Sequence, residues 1–178
     1  MTPLPAPEGP HRHTFPSPLG HLTVTAEGGL LTHLSWSERA PRADPRPPDA
    51  LLSEAAQQIE AYFAGRARSF DLPLGPRGTA FQTRVWQAIA AIPFGACETY
   101  GSLARTLGSG PRAVGNAAGA NPLPIIVPCH RVLAAGGAVG GYSGNGGLET
   151  KAVLLRLEGI RFSGYNGAQR QPSGGSYG

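Results

Sequence analysis

Only two of the 178 residues are cysteine, Cys97 and Cys129, and they lie far apart without CxxC spacing. That excludes a disulfide framework and a four-cysteine metal centre, and makes reduced thiols the expected state. No stretch approaches the roughly 18 consecutive apolar residues that a membrane-spanning helix needs, and the N-terminus lacks the basic-then-apolar order of a secretory signal. No membrane partner and a cytoplasmic location are therefore expected. Charged residues are few, 15% of the chain, yet hydrophobic residues at 40% are too many and too evenly spread for a disordered protein. No internal repeat is visible.

What is present points to a folded chain with room for one sizeable core or two small ones. The net charge of +4 suits a nucleic-acid partner but does not demand one. Residues 1–14, rich in proline and polar side chains, are expected to fray. From Phe15, Leu22, Val24 and Ala26 alternate with polar neighbours, Gly28-Gly29 interrupts, and Leu30, Thr32, Leu34 and Trp36 resume, which predicts a β-hairpin. A proline-laden loop follows. Leu52, Ala56, Ile59 and Phe63 then recur at helical spacing up to Gly65, and "SFDLPLGPRG" reads as a last short strand and a linker. The first domain thus covers 15–78.

A second domain is expected over 79–162, followed by a flexible tail at 163–178. Thr79 and Gln82 stand in capping-box spacing ahead of Phe81, Val85 and Ile89, with Pro93 closing the helix. "TYGSLARTLGS" and "GPRAVGNAAGANP" predict two short helices about a glycine-containing turn, the pattern of a helix-turn-helix. The second is built from small residues: Ala113, Gly115, Ala117, Ala118, Gly119 and Ala120. Glycine weakens a helix by roughly 1 kcal/mol relative to alanine, so something must approach closely, either a neighbouring helix or a DNA groove, with Arg112 the only long basic side chain. "GLETKAVLLRLEG" predicts the final helix.

The chemistry concentrates in "NPLPIIVPCHRV". Proline biases Asn121, Leu123 and Val127 toward extended backbone, and Ile125, Ile126 and Val127 suit a buried strand-like segment that holds Cys129 rigidly. Buried cysteine is usually inert, but His130 can take the thiol proton and Arg131 adds positive charge, both favouring the nucleophilic thiolate. Consecutive extended side chains point apart, so Cys129 and His130 need a turn or a bridging water. Glu158 is a candidate to orient the imidazole. It lies two helical turns beyond Lys151, and a solvated helix face is an equally open reading of both. A structural zinc needs four ligands; Cys129-His130 has no second pair nearby, and His11, His13, His21 and His33 read as scattered surface residues. No metal site is expected.

"FQTRVWQAIAAIPFG", "TYGSLA", "RAVGNAAGANPLPIIVPCHRV", "GAVGGYSG" and "KAVLLRLEG", in that order, resemble the C-terminal domain of the O6-alkylguanine-DNA alkyltransferases, the methylated-DNA–protein-cysteine methyltransferases. The likeness spans roughly residues 79–159 and is most specific at "PCHRV"; the N-terminal half is similar only in its hairpin-then-helix layout. It implies an α/β protein with a small mixed-sheet, ribonuclease-H-like N-terminal domain and a helical, winged-helix-like C-terminal domain. It also implies direct reversal of O6-alkylguanine damage in double-stranded DNA, with O4-alkylthymine a further candidate, by irreversible transfer of the alkyl group to Cys129. No metal or organic cofactor is implied, and a monomer is expected.

Role by role, the resemblance makes Asn121 the brace of the cysteine turn and His130 with Glu158 a water-linked relay to the thiol. Tyr100 helps turn the nucleotide out, Arg112 fills the gap in the stack, and the helix carrying Ala113 and Gly115 faces the minor groove. Arg131 falls among the substrate- and DNA-binding positions. Lys151 lies near the guanine oxygen; Val132, Tyr142 and Ser143 line the pocket, and Gly140 lets its loop approach. Relatives with an N-terminal zinc site use cysteine there, which this N-terminal half lacks, so the zinc is not carried over. The loop before Lys151 is longer and richer in glycine than the family form, and Cys97 reads as packing. Three rivals stay open: a non-catalytic lesion reader, against which Cys129 argues; a transcription factor, against which a recognition helix poor in base-reading side chains argues; and a cysteine hydrolase.

Overall fold

The computed structural model describes residues 9–37, 39–142 and 146–165. The N-terminal half is a three-stranded antiparallel meander of β1 (His11–Ser17), β2 (Gly20–Glu27) and β3 (Leu30–Ser37), followed by α1 (Ala50–Phe63). The sheet starts at His11 rather than Phe15, so part of the segment expected to fray is an edge strand. Histidine and proline hide its alternation in the sequence. In the fold Thr14 pairs with Thr23 through a 2.8 Å hydroxyl contact, His13 stacks on Phe15, and Arg12 N–H donates to Asp44 of the following loop. Pro16 is tolerated because β1 lies at the edge.

One face of the sheet, including Phe15, Leu22, Val24, Leu31 and Leu34, shares a core with Leu52, Ala56, Ile59 and Phe63 of α1, whose first turn is capped by Asp49 accepting from Leu52 N–H at 2.9 Å. The strand expected near Phe70–Leu74 reduces to one parallel bridge between Leu74 and Leu31, enough to make the sheet mixed at that point.

In the C-terminal half α2 (Ala80–Ala90) begins with both bonds of the Thr79–Gln82 capping box and stops three residues before Pro93. A two-residue strand β4 (Glu98–Thr99) runs directly into α3 (Tyr100–Leu107); Gly108, at φ 63°, ends that helix in the left-handed conformation; and α4 (Pro111–Gly119) follows with proline at its first position. β4 pairs in parallel with β5 (Val132–Leu133). This short pair places Tyr100, at the start of α3, beside the turn that bears Cys129. α5 (Gly147–Leu157) closes the domain. No helix among the described residues is long and apolar enough to cross a membrane.

The halves are not insulated from each other. One hydrophobic cluster runs from Phe15 and Tyr62 through Trp86 and Leu123 to Leu154, and Leu34 N–H of β3 donates to Pro122 C=O at 2.8 Å, so the N-terminal sheet abuts the cysteine turn. Trp86 in turn ties α2 to α4 through its indole N–H and Ala117 C=O, 2.8 Å apart. Because the capping box satisfies two orphan donors of α2, Thr79→Ala is expected to lower stability by about 1 kcal/mol with a fold otherwise unchanged, as read by chemical denaturation.

Candidate active site

Cys129 sits in a turn, not at the end of a strand. The β-branched run Ile125–Val127 adopts turn conformations because Asn121 dictates the path. Its side-chain amide donates to Val127 C=O at 2.9 Å, and its carbonyl oxygen accepts from Leu123 N–H at 3.0 Å, while Val127 N–H returns to Leu123 C=O. Ile125 takes φ 73°, the only positive φ outside glycine among the described residues. Such a conformation costs a β-branched residue on the order of 1–2 kcal/mol, and full burial of Leu123 and Ile125 offsets it. Cys129–Arg131 then forms a single 3-10 turn, which removes the alternation that would have sent Cys129 and His130 to opposite sides.

Cys129 is buried at the floor of a cleft of about 410 Å3 lined also by Tyr100, Gly115, Ala118, Gly119, Gly141 and Tyr142. Burial raises its thiol pKa; the Asn121 amide, the Lys151 ammonium and backbone N–H groups pull the other way without overcoming it. The resting sulfur is therefore a thiol that needs a base.

The candidate for that base, His130, is held by Glu158. Its Oε1 accepts from Tyr62 Oη at 2.7 Å and Arg131 Nη2 at 3.0 Å and lies 2.7 Å from His130 Nε2. Its Oε2 accepts from Arg131 Nε at 2.8 Å and Gly95 N–H at 3.3 Å. Burial alone would raise this carboxyl, but the hydrogen bonds from His130 and Arg131 bring its pKa down to about 2. An ionised carboxylate only accepts, so Nε2 carries the imidazole proton. His130 is fully buried, and burial, assisted by the Arg131 and Lys151 charges, keeps its pKa below the ordinary value despite Glu158. The ring is then neutral, and Nδ1, which has no hydrogen-bond partner among the described residues, is the free basic nitrogen.

Lys151 is also fully buried. Its Nζ donates to Val132 C=O at 2.6 Å and Gly141 C=O at 3.1 Å and lies 5.7 Å from the Tyr100 ring centre. Burial lowers its pKa to about 8, with the cysteine sulfur opposing, so it is mostly cationic at neutral pH. Tyr142 stacks on Trp36 of β3 at 6.3 Å, and its buried hydroxyl has no partner among the described residues.

A family model described as the 6-O-methylguanine DNA methyltransferase DNA binding domain matches residues 80–160, and one for the ribonuclease-like domain of the same proteins matches residues 11–76. The chain belongs to this methyltransferase family. Methylated-DNA–protein-cysteine methyltransferase of Mycobacterium tuberculosis is 44% identical over 153 residues, covering 83% of this chain and 92% of that protein. The constitutive enzyme of Bacillus subtilis is 40% identical over 159 residues, covering 84% and 95%. Among solved structures, Mycobacterium tuberculosis OGT in complex with DNA superposes with a TM-score of 0.74 at 46% identity over 83% of this chain and 92% of that one.

Within this methyltransferase fold the expected residues fall into three places. Cys129, His130, Glu158, Asn121, Tyr100, Tyr142 and Lys151 converge around the cleft, and Gly115 lines it. Gly140, at φ 66°, belongs there too: an added Cβ would come within 3.4 Å of the Tyr100 ring. Arg112 and Ala113 are exposed on α4, outside the cleft lining. Val132 is fully buried and contributes its carbonyl to Lys151 rather than a side chain to the cleft wall. Ser143 lies outside the described residues.

Two expectations need correction. Arg131 is not exposed at a surface open to DNA: it is buried, and it donates to Glu158 and to Ile92 C=O, the latter at 2.6 Å, so its charge is paired inside the protein. Cys97 is exposed rather than packed. For Lys151 and Glu158 the solvated-face alternative falls, because each is buried with partners on other segments.

Sequence reasoning missed Tyr62, Trp36 and Gly141, and named Ala118 and Gly119 only as small residues of α4 rather than as cleft lining. Tyr62 could have been found, since it shares the stripe of Ile59 and a buried tyrosine hydroxyl needs an acceptor. Among the described residues no three His, Cys, Asp or Glu side chains converge as a metal site requires.

The buried charges make stability depend on pH. Glu158 is depressed to about 2, so its contribution is complete above its ordinary value of about 4.3 and is lost as pH falls toward 2. His130, depressed below about 6.5, adds the same sign from a higher starting point, because the unfolded chain takes up a proton that the folded one refuses. The melting temperature is expected to fall progressively below about pH 6.5. Glu158→Gln should cost about 3–5 kcal/mol by leaving the Arg131 charge unpaired, and should flatten the part of the melting profile below about pH 4.3.

Proposed function

We propose that this chain repairs O6-alkylguanine in double-stranded DNA by moving the alkyl group to its own Cys129, once per molecule. The observation that carries the reading is a buried cysteine at the floor of an open cleft, next in sequence to a histidine whose one free nitrogen is basic. The thiol proton passes to His130 Nδ1 through a bridging water, and Glu158 stabilises the imidazolium that forms. The thiolate then attacks the alkyl carbon in line: the S–C bond forms, the C–O6 bond breaks, and its electron pair leaves with guanine. Tyr100 and Lys151 are the donors placed to stabilise that developing charge. The product is a thioether with no carbonyl for water to attack, so the thiol is not regenerated.

The guanine O6 lies on the pairing edge inside a duplex, so the nucleotide must rotate out at a cost of a few kcal/mol. The exposed α4, with Arg112 at its start, is the element suited to approach DNA and fill the vacated stack, and phosphate contacts would supply affinity without sequence preference. The site is complete within one chain, which suits a monomer.

Incubation with a duplex containing one O6-methylguanine, followed by peptide mass mapping, is expected to find one methyl group on the Cys129 peptide and repair that stops at one equivalent. Cys129→Ser should lose transfer and keep lesion binding. Methyl on Cys97, or tight lesion binding without any mass change in the wild type, would overturn the assignment; the latter outcome favours a lesion reader. Arg112→Ala should slow transfer from duplex roughly tenfold, the equivalent of about 1.4 kcal/mol, and leave transfer from the free modified base nearly unchanged.

A further inference from the structure

Tyr62 stands outside the cysteine turn and the DNA-facing helices, yet its hydroxyl reaches the relay. It lies in the last turn of α1, in the ribonuclease-like half, and Oη is 2.7 Å from the same Glu158 oxygen that receives His130 Nε2–H. The ring is fully buried and fixed by Phe63, Phe70 and Phe94, with centroids 5.4, 5.5 and 6.2 Å away. We propose that Tyr62 is a positioning residue for alkyl transfer, whose hydroxyl sets the orientation and the basicity of Glu158 and through it the proton affinity of His130. The proposal rests on the repair reading above.

The donors compete for one oxygen. Glu158 Oε1 has two lone pairs and three donors around it: Tyr62 Oη, His130 Nε2 and Arg131 Nη2. Burial and the neighbouring carboxylate both keep the Tyr62 phenol protonated, so it acts as a donor only. Each donor draws charge from the carboxylate and weakens its hold on the imidazole N–H. The other charged or titratable groups facing the pair are Arg131 from the 3-10 turn and Lys151 from α5, with the Cys129 thiol next in sequence to His130 and Tyr142 near enough to feel the Tyr62 hydroxyl. Arg68 stacks on Phe94 at 5.3 Å, on the ring that packs against Tyr62. Removing the hydroxyl leaves these in place and returns charge to His130, so the imidazolium becomes easier to form and the base is protonated before the thiol needs it.

The test compares the wild type with Tyr62→Phe, which keeps the ring, in single-turnover transfer from an O6-methylguanine duplex across pH. The acid limb is expected to move up by about 0.5 unit or more, so the rate drops several-fold near the limb and recovers above it, with lesion binding little changed and the fold retained at a lower melting temperature, because a hydrogen bond to a buried charge is lost. Replacing Tyr62 with 3-fluorotyrosine, a stronger donor, should move the limb the other way. A uniform loss of rate at every pH, or an unchanged profile, overturns the proposal.

NMR of the His130 ring nitrogens reads the same effect without substrate: the imidazole titration moves up in Tyr62→Phe. If it does not move, the positioning role is wrong whatever the transfer assay gives. If it moves while the wild type transfers no methyl group, the repair reading is what fails.

Discussion

The Glu158 carboxylate is the point on which the architecture turns. An ionised carboxylate without partners cannot remain in a protein interior, and Glu158 is buried. Its partners come from three separate segments, Tyr62 at the end of α1, Gly95 before β4, and His130 and Arg131 on the cysteine turn, and Glu158 itself caps a fourth, α5. Removing one partner leaves another charge or dipole uncompensated, so the segments are energetically coupled. That coupling explains why the two halves share one core and why the nucleophile's turn, itself strained at Ile125, keeps a single geometry.

The same burial sets the reactivity of Cys129. A thiolate is the form that attacks carbon and also the form that oxidises. Here desolvation holds the sulfur as a thiol, while Asn121 and Lys151 shape a site in which the thiolate is tolerated once formed. In the proposed mechanism His130, neutral and oriented by Glu158, generates it on demand. If the acceptor sulfur is consumed in one event, as that mechanism requires, an inert resting state preserves the capacity to act.

The readable parts of the sequence were the ones governed by neighbours along the chain. The Thr79–Gln82 box, the apolar stripe of α1, the glycine turn between α3 and α4 and the "PCHRV" run each carry their information locally, and each stands where expected. Ile125–Val127 misled because β-branched propensity favours a strand, while the turn is imposed by side-chain bonds from Asn121 and by the prolines around it. A solvated face stayed open for Lys151 and Glu158, and Arg131 was placed among the DNA-binding positions, because their partners lie 10 to 96 positions away; nothing in helical periodicity reports such pairing. β1 escaped because an edge strand tolerates histidine and proline, and Tyr62 because its hydroxyl's partner, Glu158, is 96 residues away.

The small residues of α4 had two readings from sequence, close packing against a helix or close approach of DNA. The geometry separates them. A side chain added at Gly119 would meet nothing within 4 Å, and one at Gly115 would meet only the Tyr100 ring, at 3.9 Å. Neither glycine is required by packing inside the protein, although each weakens the helix. Tyr100 is instead crowded from the other side, by Gly140, while Trp86 and the buried Val114, Ala117 and Ala118 hold the inner face of α4 against the core. The cost of Gly115 and Gly119 thus falls where they line the cleft above Cys129, and bulk added there would narrow the entrance to the sulfur. A destabilising feature at a cleft mouth that packing does not explain supports the reading in which something as wide as a nucleobase has to pass.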